Sequence, residues 1–212
     1  MTARARALTA AAAALLTAGC VTTVDGTAIR SAPGLDDDSR SPVDVDTVLL
    51  ETAQMQAITG AGEDLTIIPS MDGKIPVDIE SLMEQMPVPC RWLFAESQTF
   101  GDEVEEFHKT TFQNPPDGGL ISQGAAGYRD GPTARRAFDA VVALVDGCGT
   151  TDYGPAYIGD WTSTADALST RPGDCGRDYR LKSAVLVEVT FCRFTDSVPD
   201  IVMTNILAKV PG

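Results

Sequence analysis

The sequence predicts an α+β domain in which helices pack on an antiparallel β-sheet. Three observations lead there. Apolar residues recur at helical spacing in three separated stretches and alternate with period two in others. The order along the chain runs helix, strands, helix, strands, helix. Two strand-like runs are joined through a Pro-Gly turn, the signature of an antiparallel hairpin.

The first helix is expected in "DTVLLETAQMQAITG", where Val48, Leu49, Ala53, Met55 or Gln56, and Ile58 fall close to helical spacing. Asp46 caps its start and Gly60 ends it. "DLTIIP" reads as a strand, "MDGK" as a turn, and "VDIESLMEQMPVPC" as a short helix stopping before Pro87. "GDEVEEFHKTTFQ" and "LISQGAAGY" form the hairpin around "NPPDGG". In "GPTARRAFDAVVALVDGC", Ala134, Phe138, Val141, Val142 and Val145 make one helical stripe. Pro132 suits its first turn and Gly147 its end.

"YIGDWTSTADAL" and "DYRLKSAVLVEVTFCRF" are strand-like, and the second is the strongest β segment of the chain. It places Val185, Val187, Val189 and Phe191 on one face and Leu186, Glu188 and Thr190 on the other. "SVPDIVMTNILAKV" closes as a helix through Ile201, Val202, Asn205, Ile206 and Val210.

Before the domain come two segments of different character. Residues 1–19 have two arginines, then a largely apolar stretch of ten residues, then Thr17-Ala18-Gly19, which is the pattern of a secretory signal peptide. As a helix the apolar run spans only about 15 Å, half a bilayer core. The small residues lead directly into Cys20, and "LTAGC" resembles the bacterial lipobox, with Leu16 one place earlier than the usual pattern. The resemblance implies acylation of Cys20 and a membrane anchor. Residues 20–45, rich in Thr, Ser, Pro, Gly and Asp, read as a flexible tether, and residues 46–212 as the folded domain. A tether of this length has an end-to-end distance of about 25–30 Å. Asp36-Asp37-Asp38 lacks the spacing and glycine of a calcium loop and reads as a solvated acidic run.

The 212 residues carry a net charge of −14, and removal of the leader with its two arginines takes this to −16. A chain so acidic repels phosphate backbones, which excludes nucleic acid as a partner class. Of five cysteines, Cys90, Cys148, Cys175 and Cys192 lie in the domain, where an exported protein forms disulfides. Four cysteines allow three pairings, and the residues alone leave the choice open. With no C-x-x-C and one histidine, no zinc site and no other metal or cofactor is expected.

Four stretches resemble a known family: "VLLETAQMQAITGAG", Cys90, "GYRDGPTARRAFDAVVALVDGC" and "SAVLVEVTFCRF" with "IVMTNILAKV". They are similar to the PknH-like extracellular sensor domain of mycobacterial Ser/Thr kinases, a domain also found alone on mycobacterial lipoproteins. The likeness covers about residues 46–210 and has no catalytic signature. It implies a sheet-and-helix domain with a cleft, stapled by Cys90–Cys148 and Cys175–Cys192. The segment 149–176 departs from the family in length.

A catalytic triad finds no support. His108 is the sole histidine, it lies mid-strand, and no G-x-S-x-G elbow or Walker loop is present. Tyr153, Tyr157 and Trp161, aromatics in a loop-like region, either contact a ligand or plug the end of the core, and Arg177 and Arg180, in the mixed-charge run around Cys175, either meet an anionic ligand or form a salt-bridged loop. The functional expectation is an envelope lipoprotein, held by lipid on Cys20, that binds an extracytoplasmic ligand or envelope protein and does no chemistry. A carrier or chaperone for lipid or cell-wall material is the alternative, and it requires a large apolar cavity.

Overall fold

The computed structural model describes residues 40–212. The expected signal peptide, Cys20, the Asp36–Asp38 run and most of the expected tether therefore lie outside the described residues. Among those residues seven strands form one antiparallel sheet in the order β1-β2-β3-β7-β6-β5-β4, with helices on both faces. No described helix is long and apolar enough to cross a membrane.

The opening helix is two helices, α1 (Val45–Val48) and α2 (Thr52–Thr59), separated by extended residues. The break has a physical reason. Val48, Leu49 and Leu50 are consecutive and all buried, which one helical face cannot accommodate. The backbone exposed by the break is satisfied by Gln123, itself buried, which accepts from Leu50 N at 2.8 Å and donates to Leu50 O at 2.7 Å. The core reaches back to Val43 and Val45, which are buried against α1's neighbours.

β1 (Thr66–Gly73) runs on through Met71–Gly73, where a turn is expected from sequence. Its register to β2 (Glu106–Asn114) shifts between Ile67 and Asp72, so a bulge accommodates Pro69 at the sheet edge. α3 (Glu80–Met83), a 3₁₀ stretch (Val88–Phe94) and α4 (Glu96–Phe100) connect it to β2. β2 and β3 (Gly119–Gly127) form the expected hairpin.

α5 (Gly131–Gly149) starts where Asp130 Oδ1 accepts from Thr133 N at 2.8 Å, with Pro132 in the first turn. It runs two residues past Gly147, and its buried stripe ends on Cys148. The segment expected as one strand from Tyr157 is instead α6 (Gly154–Ile158), β4 (Asp160–Ser163) and β5 (Ala167–Arg171). Gly159 makes the corner: its φ is +60°, and a Cβ there would lie 1.9 Å from Arg171 O.

The strongest β segment is likewise two strands, β6 (Cys175–Lys182) and β7 (Val185–Cys192). They turn at Ser183-Ala184, with Ser183 at φ +54°, a position the sequence does not mark with Gly or Asn. α7 (Ser197–Lys209) buries Val202, Met203 and Ile206 and leaves Ile201 exposed, so its inward face is rotated from the one expected.

Period two sorts the side chains of β7 as expected. Val185, Val187, Val189 and Phe191 join one core with α1, α2 and α7, while Leu186 joins a second core with α5 and α6. Two disulfides complete the fold. Cys90–Cys148 pins the 3₁₀ stretch to α5 across 58 residues, and Cys175–Cys192 links β6 to β7 across 17. On the chain-entropy account these closures contribute about 4 and 3 kcal/mol. All four domain cysteines are consumed, which leaves none for a metal.

Candidate functional site

On the face of β7 that carries Leu186, the next inward residue is Glu188, a carboxylate only 1% exposed. A charge so buried requires partners, and it has them. Lys109 Nζ donates to Glu188 Oε2 at 3.0 Å, Thr190 Oγ1 donates to Oε1 at 2.7 Å, and Arg177 Nη1 lies 3.9 Å from Oε1. Lys109 is two strands away on β2. Its stem crosses β3 at Gly124, where a Cβ would touch Lys109 Cγ at 3.4 Å. Lys109 Nζ also sits 3.0 Å from Glu96 Oε1. Arg177 donates through Nη2 to Leu93 O at 2.8 Å and lies over the Trp92 ring.

Burial by itself would raise the Glu188 pKa, but Lys109 and Arg177 outweigh it and hold the carboxyl below its ordinary range. Burial likewise works against the Lys109 ammonium, and Glu188 with Glu96 overcomes it, so its pKa is raised. The result is a charge-balanced floor of two cations and two carboxylates.

Glu96 has a second task. Its Oε2 accepts from Val77 N at 2.9 Å, and its own N–H donates to Val77 O at 3.2 Å. Ile79 N donates to Phe94 O, and Asp78 accepts from the N–H and the hydroxyl of Ser97. The segment 75–79 is thereby sewn to the start of α4 and stands as a wall beside the sheet. Between it, the β1 bulge and β2 lies a groove of about 310 Å³. Met71, Ile75, Val77 and Ile79 wall it, Phe107 lies behind, and Lys109, Glu96 and Thr111 give it a polar base.

Arg177 belongs to this charge cluster, but the other residues named from sequence lie elsewhere. Tyr153 is exposed just before α6. Tyr157 and Trp161 are partly buried against the second core. Arg180 projects from the opposite face of β6, in register with Val187, and donates to Tyr179 O at 2.9 Å. The five residues therefore do not converge on one site. Sequence reasoning missed Lys109, Glu96 and the aliphatic wall. One signal was present: Glu188 is the lone charge inside "AVLVEVTF".

His108 lies on the other face of β2, with Nδ1 2.8 Å from Asp46 Oδ1 and Nε2 3.0 Å from Asp72 Oδ1. Thr110, the nearest hydroxyl, donates to Asp72 at 2.9 Å. Both ring nitrogens are thus committed to carboxylates, and the ring ties α1 to the bulge of β1. Lys74 completes the group through its ion pair with Asp46. Burial opposes ionisation of Asp72, but hydrogen bonds from His108 and Thr110 keep its pKa lowered. Among the described residues no group of three or more His, Cys, Asp or Glu side chains is arranged to hold a metal ion.

Two other depressions differ in character. One of about 360 Å³ is lined mainly by charged groups, among them Asp44, Asp46, Lys74, Glu105 and Glu106. Another, of about 530 Å³, lies between α4 and α5. Neither joins exposed aliphatic walls to a buried ion cluster.

Comparison with known proteins gives two findings. The profile of a family described as PknH-like extracellular domain matches residues 41–209. The crystal structure of the extracellular domain of PknH from Mycobacterium tuberculosis superposes with a TM-score of 0.55 at 12% identity, covering 80% of this chain and 97% of that one. No curated protein matches the sequence significantly.

Proposed function

Because the chain belongs to the PknH-like extracellular domain family, we propose that it is a cell-envelope lipoprotein whose domain binds an extracytoplasmic ligand or protein in the β1–β2 groove, without catalysis. The observation that carries this reading is the groove itself. Exposed aliphatic side chains surround a mouth above a charge-balanced ion cluster built on the buried Glu188, an arrangement that offers binding contacts on a rigid base. The paired cysteines accord with an oxidising compartment. The lipobox-like "LTAGC" supports attachment through Cys20.

A carrier for lipid or cell-wall material is the rival. A groove of 310 Å³ lies at the small end of ligand sites, about 300–1,000 Å³. It can engage part of an amphiphile and leave the remainder outside, which favours recognition over carriage.

The test is mass spectrometry of molecules and crosslinked partners recovered with the protein from its native envelope, for the wild type and an Ile75→Asp/Val77→Asp variant. A specific species recovered with the former and lost with the latter is the expected result. Equal recovery by both would remove the groove from the reading. For the anchor, labelled palmitate is expected in the wild type and absent from Cys20→Ala, and a wholly soluble cytosolic wild type would refute it.

A further inference from the structure

Resting on the groove as the binding site, the geometry points to a ligand class: we propose that the groove takes a monomeric, neutral aliphatic molecule carrying a carbonyl or hydroxyl acceptor, with the Lys109 ammonium as its polar anchor. The walls require the aliphatic part. Met71, Ile75, Val77 and Ile79 are 47%, 75%, 58% and 42% exposed around one mouth. Four large aliphatic side chains left in water beside one another on so acidic a protein mark a surface that something apolar covers.

The polar part follows from counting donors. An ammonium has three N–H groups and accepts none. Those of Lys109 have two protein partners, Glu96 and Glu188, each at 3.0 Å. Lys109 lines the groove, so its remaining N–H is available there, and only an acceptor can use it.

Charge decides which acceptor. Glu96 and Glu188 already balance Lys109 and Arg177, and Asp72 lies on the groove wall. An anionic head would give up its hydration without meeting net positive charge, on a chain whose net charge is −14. A cationic head would find an ammonium presenting only donors, and both oxygens of Glu96 are engaged by Lys109 and Val77. A neutral ester, amide or alcohol oxygen satisfies the donor at least cost. An added peptide strand is disfavoured on this wall, because the Val77 N–H and C=O and the Ile79 N–H are already bonded to residues 94–96.

The experiment is calorimetric titration of the full chain with three probes of one chain length, each below its micelle concentration: 1-octanoylglycerol, octanoate and octylammonium. 1-Octanoylglycerol is expected to bind at least tenfold more tightly than either charged probe. Ile75→Asp and Val77→Asp, at exposed positions, should each weaken it about tenfold with the melting temperature unchanged. The head-group comparison tests the anchor in the wild type, where removal of Lys109 would disturb the fold. The proposal is overturned if octanoate or octylammonium binds equally well, if the wall variants bind normally, or if no probe binds the folded protein. It is also overturned if the protein instead prefers an aliphatic peptide or vesicles of dioleoylphosphatidylcholine. Loss of a native ligand from the wall variants, alongside indifference to 1-octanoylglycerol, would leave the groove reading standing and refute this inference alone.

Discussion

Replacing Glu188 by Ala removes one carboxylate and strands its partners. Lys109 keeps Glu96 and Arg177 keeps Leu93 O, but the side chains of Thr190 and the wholly buried Tyr179 lose an acceptor. Breaking a buried ion pair from one side costs about 3–5 kcal/mol. In a domain of this size each kcal/mol lowers the melting temperature by about 2–4 °C, so a fall of about 6–20 °C is expected by circular dichroism. The reasoning makes a sharper claim about the pair. Lys109→Met in the Glu188→Leu background removes both charges together, and buried pairs replaced by apolar groups of similar volume are often neutral. The double variant should therefore recover much of the loss, with a coupling of about 2 kcal/mol in the mutant cycle. A Glu188→Ala melting point within 2 °C of wild type, or additive single substitutions, would refute the account of the floor.

Other predictions follow from the same structure. Asp46, Asp72 and Glu188 all have folded pKa values below their unfolded ones, so their stabilisation is complete above about pH 5 and is lost as the pH falls through the folded values. Denaturant midpoints should drop steeply on acidification below pH 4. Burial raises the Asp178 pKa and gives the opposite sign, so Asp178→Asn should steepen that acid loss; a flatter profile would contradict it. Cys90 and Cys148 are wholly buried while Cys175 and Cys192 are half-buried, so mild reductant on the native protein should label Cys175 and Cys192 first in thiol mapping. Removing the Cys90–Cys148 bridge should cost about 4 kcal/mol against about 3 for the other. Gly159→Ala places a Cβ against Arg171 O at a left-handed φ and should cost at least about 2 kcal/mol, with faster hydrogen exchange confined first to β4 and β5.

Much of the architecture was legible because it is written in short-range period. The α5 stripe, the β2–β3 hairpin and the two faces of β7 follow from spacings of three to four or of two, and the folded chain keeps them. Where expectations failed, burial had overridden local pattern. Three consecutive apolar residues split the first helix, and a Ser-Ala turn without Gly or Asn split the strongest strand. The disulfide pairing was reached through family likeness, since four cysteines in sequence permit three solutions.

The site is another matter. Alternation along the chain determines that Glu188 shares a face with Leu186, and that Arg177 and Arg180, three residues apart, point to opposite faces. It cannot say which residues of β2 meet β7 across β3, because that depends on register between strands separated by most of the domain. Lys109 and Glu188 are 79 residues apart, and Arg177 and Leu93 are 84. Only the tertiary structure brings Glu96, Lys109, Arg177 and Glu188 together and raises an aliphatic wall beside them. The sequence by itself determined the kind of domain and the number of its cysteines; long-range strand pairing decided which side chains meet.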